Sequence, residues 1–264
     1  MIELQQVSKT YNRNTANEVK ALRGISLTIM PGEFVVIVGS NGSGKSSLLN
    51  AVAGSIHVDA GKISIDGNEI THLKEYQRSR WIARIFQNPL MGTAPELTIL
   101  ENFRLASLRT RPKKLFIGTN EKFRKKIQEK ISLLNLGLEN KTDQLMGTLS
   151  GGQRQALTLL MAVIPTQLNE RPQYDTSQKQ TNLLLMDEPA AALDPKTSDL
   201  LMNLAGKMIR EFHLTTLFIT HQLKDALAYG DRLILMQEGK IINDLHKAEK
   251  SKLDLNTLYN WFGG

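Results

Sequence analysis

Apolar positions along the chain fall into short runs separated by polar turns. Residues 2–7 alternate imperfectly and predict an edge strand, and a polar loop follows from Asn12 to Asn17. Val19 to Met30 resumes strand character, and Pro31-Gly32 turns the chain into Phe34-Val-Val-Ile-Val38. That last run is short, β-branched and wholly apolar, the pattern of a buried strand. Two or three antiparallel strands therefore precede it, and Ser47 to Ala53 follows with helical spacing. Gly54 and Asp59-Ala-Gly61 mark turns, and residues 62–67 alternate as a strand ending in an Asp-Gly turn. Tyr76 to Ala83 reads as a helix, and Arg84-Ile-Phe86 as a short strand ending at Gln87 before the Asn88-Pro89 break. Residues 98–108 and 121–136 read as helices, interrupted between by Arg111-Pro112 and Gly118. Gln153 to Ala162 is a strong helix. Pro165 to Thr181 is polar without apolar period and reads as a long surface loop. Then come a buried strand at 182–186, a helix at 202–212 and a second buried strand at 215–220. A helix at 222–229, a hairpin turning at Glu238-Gly239 and an amphipathic end helix at 253–262 complete the chain.

Candidate chemistry sits where these elements join. Between the strand ending at Val38 and the helix lies Gly39-Ser40-Asn41-Gly42-Ser43-Gly44-Lys45-Ser46, with Ser47 next. The spacing G-x-x-x-x-G-K-S, with strand before and helix after, marks a phosphate-binding loop. Glycines let the backbone curl into a nest of N–H groups, and the helix start adds free N–H groups and the positive dipole end. Lys45 would reach the β- and γ-phosphates of a nucleotide, and Ser46 would ligate Mg²⁺. The alternative is a glycine turn beside a surface lysine. Ser150-Gly151-Gly152-Gln153 opens another helix, with Ser150 as its N-cap. Either this is plain helix capping, or the same free N–H groups would make it a second anion site, which its two glycines would let a ligand approach closely. Asp187-Glu188 closes an apolar strand, where ligands bind in open α/β sheets, and His221 closes another. Tyr11 either stacks on a base or closes a hairpin.

Bulk properties narrow the class. The chain has 264 residues, 41% hydrophobic and 22% charged, enough for one large globular unit or a domain with a subdomain. It has no cysteine, which excludes disulfides and thiolate metal sites and is compatible with a reducing cytoplasm. No signal peptide or membrane-spanning run is evident, so a soluble protein, or one peripheral through a partner, is expected. The net charge of +7 raises nucleic acid or an anionic membrane as partner. The second half of the basic segment from Arg109 to Lys130, with the residues just after it, carries Phe123, Ile127, Ile131 and Leu134 at helical spacing. It reads as a helix with a solvated basic face, and no specific nucleic-acid binding is expected.

Taken in order, these motifs resemble the ATP-binding subunit of an ABC transporter over nearly the whole chain, from about Ile2 to Gly239. Gly39–Ser46 resembles the Walker A loop, Gln87 the Q-loop glutamine, and Leu149–Gln153 the signature. Leu183–Asp187 with Glu188 resembles Walker B, Ala192-Leu193-Asp194 most of the D-loop, and His221 the switch histidine. The resemblance implies an α/β fold: a P-loop NTPase core with a mostly parallel sheet, an N-terminal antiparallel β subdomain and an inserted helical subdomain. It implies one ABC ATPase domain over 1–264, with the helical subdomain in about 88–160 and a short tail over about 240–264. It implies ATP and Mg²⁺ as cofactors, with Ser46, Gln87 and Asp187 at the metal, Glu188 polarising the attacking water, His221 at the γ-phosphate and Tyr11 under the adenine.

It also implies two chains, identical or similar, pairing head to tail so that Ser150, Gly151 and Gly152 of one cover the γ-phosphate bound by the other. Ala191 stands where the D-loop commonly has serine, which removes a hydroxyl contact across that dimer. A single free-standing cassette resembles a bacterial importer subunit, peripheral on the cytoplasmic face of the inner membrane. It would be bound to a permease served by an extracytoplasmic solute-binding protein. Residues 87–98 resemble a group whose solutes include aromatic amino acids. A switch ATPase acting on nucleic acid or a protein complex, or a P-loop kinase, are the competing classes.

Overall fold

The computed structural model describes residues 1–88, 90–108, 119–163 and 183–263, with side chains through 261. The expected loop at 165–181, and residues 109–118 of the basic segment, lie outside the described residues. The elements in order are β1 (Ile2–Tyr11), β2 (Val19–Ile29), β3 (Phe34–Val38), α1 (Lys45–Ala53), β4 (Ala60–Ile65), β5 (Asn68–Glu69), α2 (Glu75–Arg78) and β6 (Ile82–Ile85). Next come α3 (Ile99–Leu108), α4 (Glu121–Ser132), α5 (Gly151–Val163), β7 (Leu183–Asp187), α6 (Pro195–Glu211) and β8 (Thr215–Ile219). The chain ends with α7 (Leu223–Ala228), β9 (Arg232–Gln237), β10 (Lys240–His246), α8 (Lys247–Lys250) and α9 (Leu255–Gly263).

These elements divide into two compact units, one of residues 1–82, 180–188 and 213–264, the other of 83–179 and 189–212. The first unit carries two sheets. The antiparallel one has the order β2-β1-β4-β5. The other runs β10-β9-β3-β8-β7, with β9, β3, β8 and β7 parallel and β10 an antiparallel edge. The parallel strands are apolar on both faces, and the side chains of β3 and β8 are buried throughout. Leu48, Leu49, Val52 and Ala53 of α1 pack in one core with Ile2, Leu4 and Ile63 from the first sheet and Val35, Leu185 and Ile219 from the second. The end of α1 is closed by Gly54 in the left-handed conformation, φ 83.

The last carbonyls of α1 have a second partner. Arg78 of α2, 1% exposed, donates from Nη1 to the Ala51 and Val52 carbonyls at 2.7 and 2.8 Å. Its Nη2 and Nε donate to the Thr71 and Leu73 carbonyls, both at 2.9 Å. Burial pushes its pKa down to about 10.

In the second unit α5 packs against α3, α4 and α6. Asn120 caps α4, accepting the Phe123 N–H at 2.9 Å. Asp194 caps α6 ahead of Pro195, accepting the Thr197 N–H at 3.1 Å. In α4, Ile127 and Ile131 are buried while Lys122 and Lys125 are exposed, so the basic face is solvated.

Four local expectations change. β1 is not an edge: it pairs with β2 on one side and β4 on the other. The helix at 76–83 ends by Arg78 and β6 starts at Ile82, because Trp81, Ile82 and Ala83 are buried in succession, a strand pattern. α6 begins at Pro195 rather than near 202, because Asp194 and Pro195 supply the cap and first turn. A short α8 was hidden within a polar stretch.

Candidate functional site

The C-terminal ends of β3, β8 and β7 lie side by side, with Ile37 paired to Ile219 and Ile219 to Asp187. Loops leaving that edge of a parallel sheet gather around ligands. Here they are residues 39–44 after β3, Glu188 after β7, and Thr220-His221 after β8.

The glycine loop is held by close backbone contacts. A Cβ at Gly39 would lie 2.2 Å from the Met236 carbonyl oxygen, and one at Gly44 would lie 2.3 Å from that of Ala21. Only glycine fits such approaches. The Ser43 carbonyl accepts the Gly239 N–H at 3.0 Å, so the β9–β10 turn supports the loop from behind. Gly44 precedes α1 with φ 102 and offers no side-chain cap, which leaves the first N–H groups of α1 for an anion. Ser40, Asn41, Gly42 and Ser46 are exposed. Lys45 is buried at 5% exposure, and its Nζ donates to the Gly39 and Ser40 carbonyls at 2.8 and 2.9 Å and to Ser43 Oγ at 3.5 Å. Burial lowers the Lys45 pKa, while the charges of Glu188 and Asp187 raise it in part, so these three groups share one electrostatic site.

Glu188 stands in the left-handed backbone conformation, φ 48, and its N–H donates to the Ile219 carbonyl at 3.1 Å. Its Oε1 is 2.5 Å from His221 Nε2. Tyr11, the last residue of β1, donates its hydroxyl to Ser47 Oγ at 3.4 Å. The first unit thus brings together Tyr11, residues 39–47, Asp187, Glu188 and His221. A bound triphosphate would find backbone N–H groups and an ammonium at one end and a histidine-paired carboxylate at the other.

Gln87 and Ser150–Gln153 belong to the second unit. Gln87 is exposed just past β6, and the neighbouring Phe86 carbonyl accepts the buried Gln155 Nε2 at 2.8 Å. Ser150 and Gln153 form a reciprocal cap: Gln153 N–H to Ser150 Oγ at 3.3 Å and Ser150 N–H to Gln153 Oε1 at 3.2 Å. Gly152 has a packing role that its position in the motif did not reveal. A Cβ there would meet Thr197 Cγ2 at 2.1 Å, so its bareness lets α5 and α6 close together.

Arg154 was not singled out in the sequence. It is buried, and it donates to the Met146, Gly147 and Leu149 carbonyls at 3.2, 2.9 and 3.0 Å, fixing the turn that leads into Ser150. Asn102 similarly holds the segment beyond Gln87, with its amide bonded to the backbone of Ala94, Leu97 and Thr98. Among the described residues no cluster of three or more His, Asp or Glu forms a metal cage. The hydroxyl of Ser46 and carboxylate of Asp187 suit a hard cation whose shell is completed by phosphate and water. No helix among the described residues is long and apolar enough to cross a membrane.

Comparison with known proteins agrees with this geometry. The ABC transporter family matches residues 22–168. A tyrosine transport ATP-binding protein of Clostridioides difficile (strain R20291) is 37% identical over 99% of this chain and 98% of that protein. The choline transport ATP-binding protein OpuBA of Bacillus subtilis (strain 168) is 32% identical over 92% of the chain, which spans 56% of that longer protein. Among solved structures, the dimeric ATP-binding cassette MJ0796 bound to ADP and Pi is 29% identical with a TM-score of 0.74, covering 94% of this chain and 99% of that one. The phosphate loop, the paired glutamate and histidine, and the match over most of the chain have one common explanation: this protein belongs to the ABC transporter family and is an ATPase with the ABC cassette fold.

Proposed function

We propose that this chain is the ATP-hydrolysing subunit of a bacterial importer for a small solute, with an amino acid such as tyrosine as the leading candidate. The full-length similarity to a tyrosine transport ATP-binding protein supports the solute class. In this reading a separate membrane permease and an extracytoplasmic binding protein handle the solute, and the ATPase sits on the cytoplasmic face. The segment after Gln87, braced by Asn102, faces the permease.

The observation that carries the reading is the Glu188–His221 pair at 2.5 Å, coupled by charge to the buried Lys45. Lys45 and the loop N–H groups would hold the β- and γ-phosphates, Ser46 and Asp187 would hold Mg²⁺, and Tyr11 would stack under the base. When bound, the ion neutralises phosphate charge. Glu188 orients the attacking water and His221 holds Glu188 and the γ-phosphate in register. Phosphoryl transfer asks mainly for such positioning. The capped helix start at Ser150-Gly151-Gly152 supports a shared site, in which each chain of a dimer covers the phosphate held by its partner. MJ0796, solved as a dimer with ADP and Pi, supports the same arrangement.

The test is the ATP-dependent association of the Glu188→Gln protein, followed by light scattering. It should bind ATP, stop turning over and shift from monomer to dimer. Ser150→Arg in the same background should abolish the shift. A strictly monomeric Glu188→Gln protein with ATP, beside a wild-type specific activity independent of concentration and of any partner, would refute the shared site. For the solute, tyrosine uptake by cells lacking this chain should fall and return with the wild type but not with Lys45→Ala.

A further inference from the structure

Asp59 lies between α1 and β4, in the turn marked by Asp59-Ala-Gly61 and outside the nucleotide-site motifs. Its backbone N–H donates to the Ser8 carbonyl at 2.8 Å. Its carboxylate accepts the Thr10 N–H at 2.6 Å and pairs with Lys9 Nζ at 3.2 Å and Arg13 Nη2 at 3.3 Å. These three donors bracket Tyr11 in the chain. Burial pushes the Asp59 carboxyl up, but the Thr10 N–H and the Lys9 and Arg13 cations outweigh it and hold the group below the usual range. Lys9, gripped by the same carboxylate, lies over the Tyr11 ring at 5.6 Å from its centroid.

Tyr11 pairs with Val19 of β2, but strand pairing is irregular along the segment that leads to it. The register of β1 slips between Leu4 and Val7, between Val7 and Lys9 and between Lys9 and Thr10, and Gln6 has φ 50. Such bulges re-aim the end of a strand. Gly61 comes so close to this bulge that a Cβ would lie 2.5 Å from the Gln5 and Gln6 carbonyl oxygens, which brings Asp59 against the re-aimed segment. The ring is then fixed at its hydroxyl by Ser47 and covered on one face by Lys9.

We propose that Asp59 is a positioning residue for the nucleotide base: it sets the backbone before Tyr11 and the ammonium over one ring face, so that the base stacks on the other face. The proposal rests on the reading that Tyr11 receives the base. A cation behind the ring leaves an electron-poor platform, suited to an electron-rich purine.

The experiment compares ATP with inorganic tripolyphosphate, which lacks the base, in wild type, Asp59→Ala, Asp59→Asn, Tyr11→Ala and the Tyr11→Ala/Asp59→Ala double variant. Stacking worth ~1–3 kcal/mol corresponds to a loss of ATP affinity of about 5- to 150-fold in Tyr11→Ala. Asp59→Ala should lose about 3- to 10-fold, part of that same term, and Asp59→Asn less, because it keeps an acceptor for Thr10. Tripolyphosphate affinity should stay within about twofold in every variant, and Asp59→Ala should add nothing to Tyr11→Ala. Unchanged ATP affinity in Asp59→Ala, an equal loss for tripolyphosphate, or a loss undiminished in the double variant would each overturn the proposal. Unchanged ATP affinity in Tyr11→Ala would instead remove the base platform itself, and the proposal with it.

Discussion

Replacing Arg78 by methionine should destabilise the protein by about 3 kcal/mol, and the estimate follows from opposing terms. Methionine keeps most of the apolar stem but removes every donor. Three buried carbonyls, those of Ala51, Val52 and Thr71, and the partly buried one of Leu73 then lose the guanidinium. Each unsatisfied buried acceptor costs ~1–3 kcal/mol, so the gross loss is ~6 kcal/mol if the site relaxes partly. Against this, the variant no longer buries a charge. A pKa lowered to about 10 puts that burial cost at ~3 kcal/mol. The difference is the expected net loss. Arg78→Lys keeps the charge but has a single nitrogen with three donors, so it should not recover the wild-type value.

The assay is urea unfolding followed by fluorescence, since the buried Trp81 donates its backbone N–H to the Arg78 carbonyl at 3.0 Å and reports on this corner. Residual ATP affinity should fall less than stability does, because the glycine loop at the other end of α1 is held independently by Met236 and Ala21. An Arg78→Met protein within about 1 kcal/mol of wild type would show that the carbonyls find other partners and would refute the reasoning.

Two further predictions test packing and charge. Gly152→Ala should cost ~1–3 kcal/mol despite alanine's better helix propensity, because its Cβ would collide with Thr197 Cγ2. Adding Thr197→Ser, which removes that methyl, should restore part of the loss in urea unfolding; no recovery would locate the strain elsewhere. Lys250 is buried and donates to the Tyr229 carbonyl and, at 2.8 Å, to that of Gly230, and burial pushes its pKa down to about 8. Between about pH 8 and the ordinary lysine range the unfolded chain binds more protons at this site than the folded one, so stability rises with pH there. The stability of wild type relative to Lys250→Gln should therefore grow by up to ~3 kcal/mol between pH 7.5 and 10. A pH-independent difference in denaturation would contradict it.

What the sequence made legible was local chemistry. Short apolar strands, the glycine loop and the capped helix at Ser150 follow from composition and spacing within about ten residues. The Asp66-Gly67 and Glu238-Gly239 turns take left-handed φ at both residues, as their types foretell. The edge assignment of β1 failed because strand position depends on which distant segment pairs with it, and β4 is more than forty residues away. Arg78, Asn102 and Arg154 escaped notice for one physical reason: each bonds mainly to backbone groups, and main-chain partners leave no mark on residue identity. Asp59 reads only as a turn residue because its cationic partners, Lys9 and Arg13, lie 50 and 46 positions away. Gly152 was visible but ascribed to ligand approach, because the facing Thr197 is forty-five positions later.

The backbone at Glu188 has a consequence for how this sequence can drift. A glutamate at φ 48 occupies a conformation that glycine or asparagine adopts more readily, at a difference of ~1 kcal/mol or more. The acid at the end of β7 thus stands against a local thermodynamic preference, and, on the proposed role of Glu188 at the attacking water, selection for turnover would be what keeps it there. A lineage released from that selection, or a library screened for heat resistance alone, would lose this carboxylate early. It would do so while keeping the glycine loop, whose contacts with Met236 and Ala21 belong to folding itself. An intact phosphate loop beside a substituted position 188 would then mark a chain that still binds nucleotide but has become a scaffold.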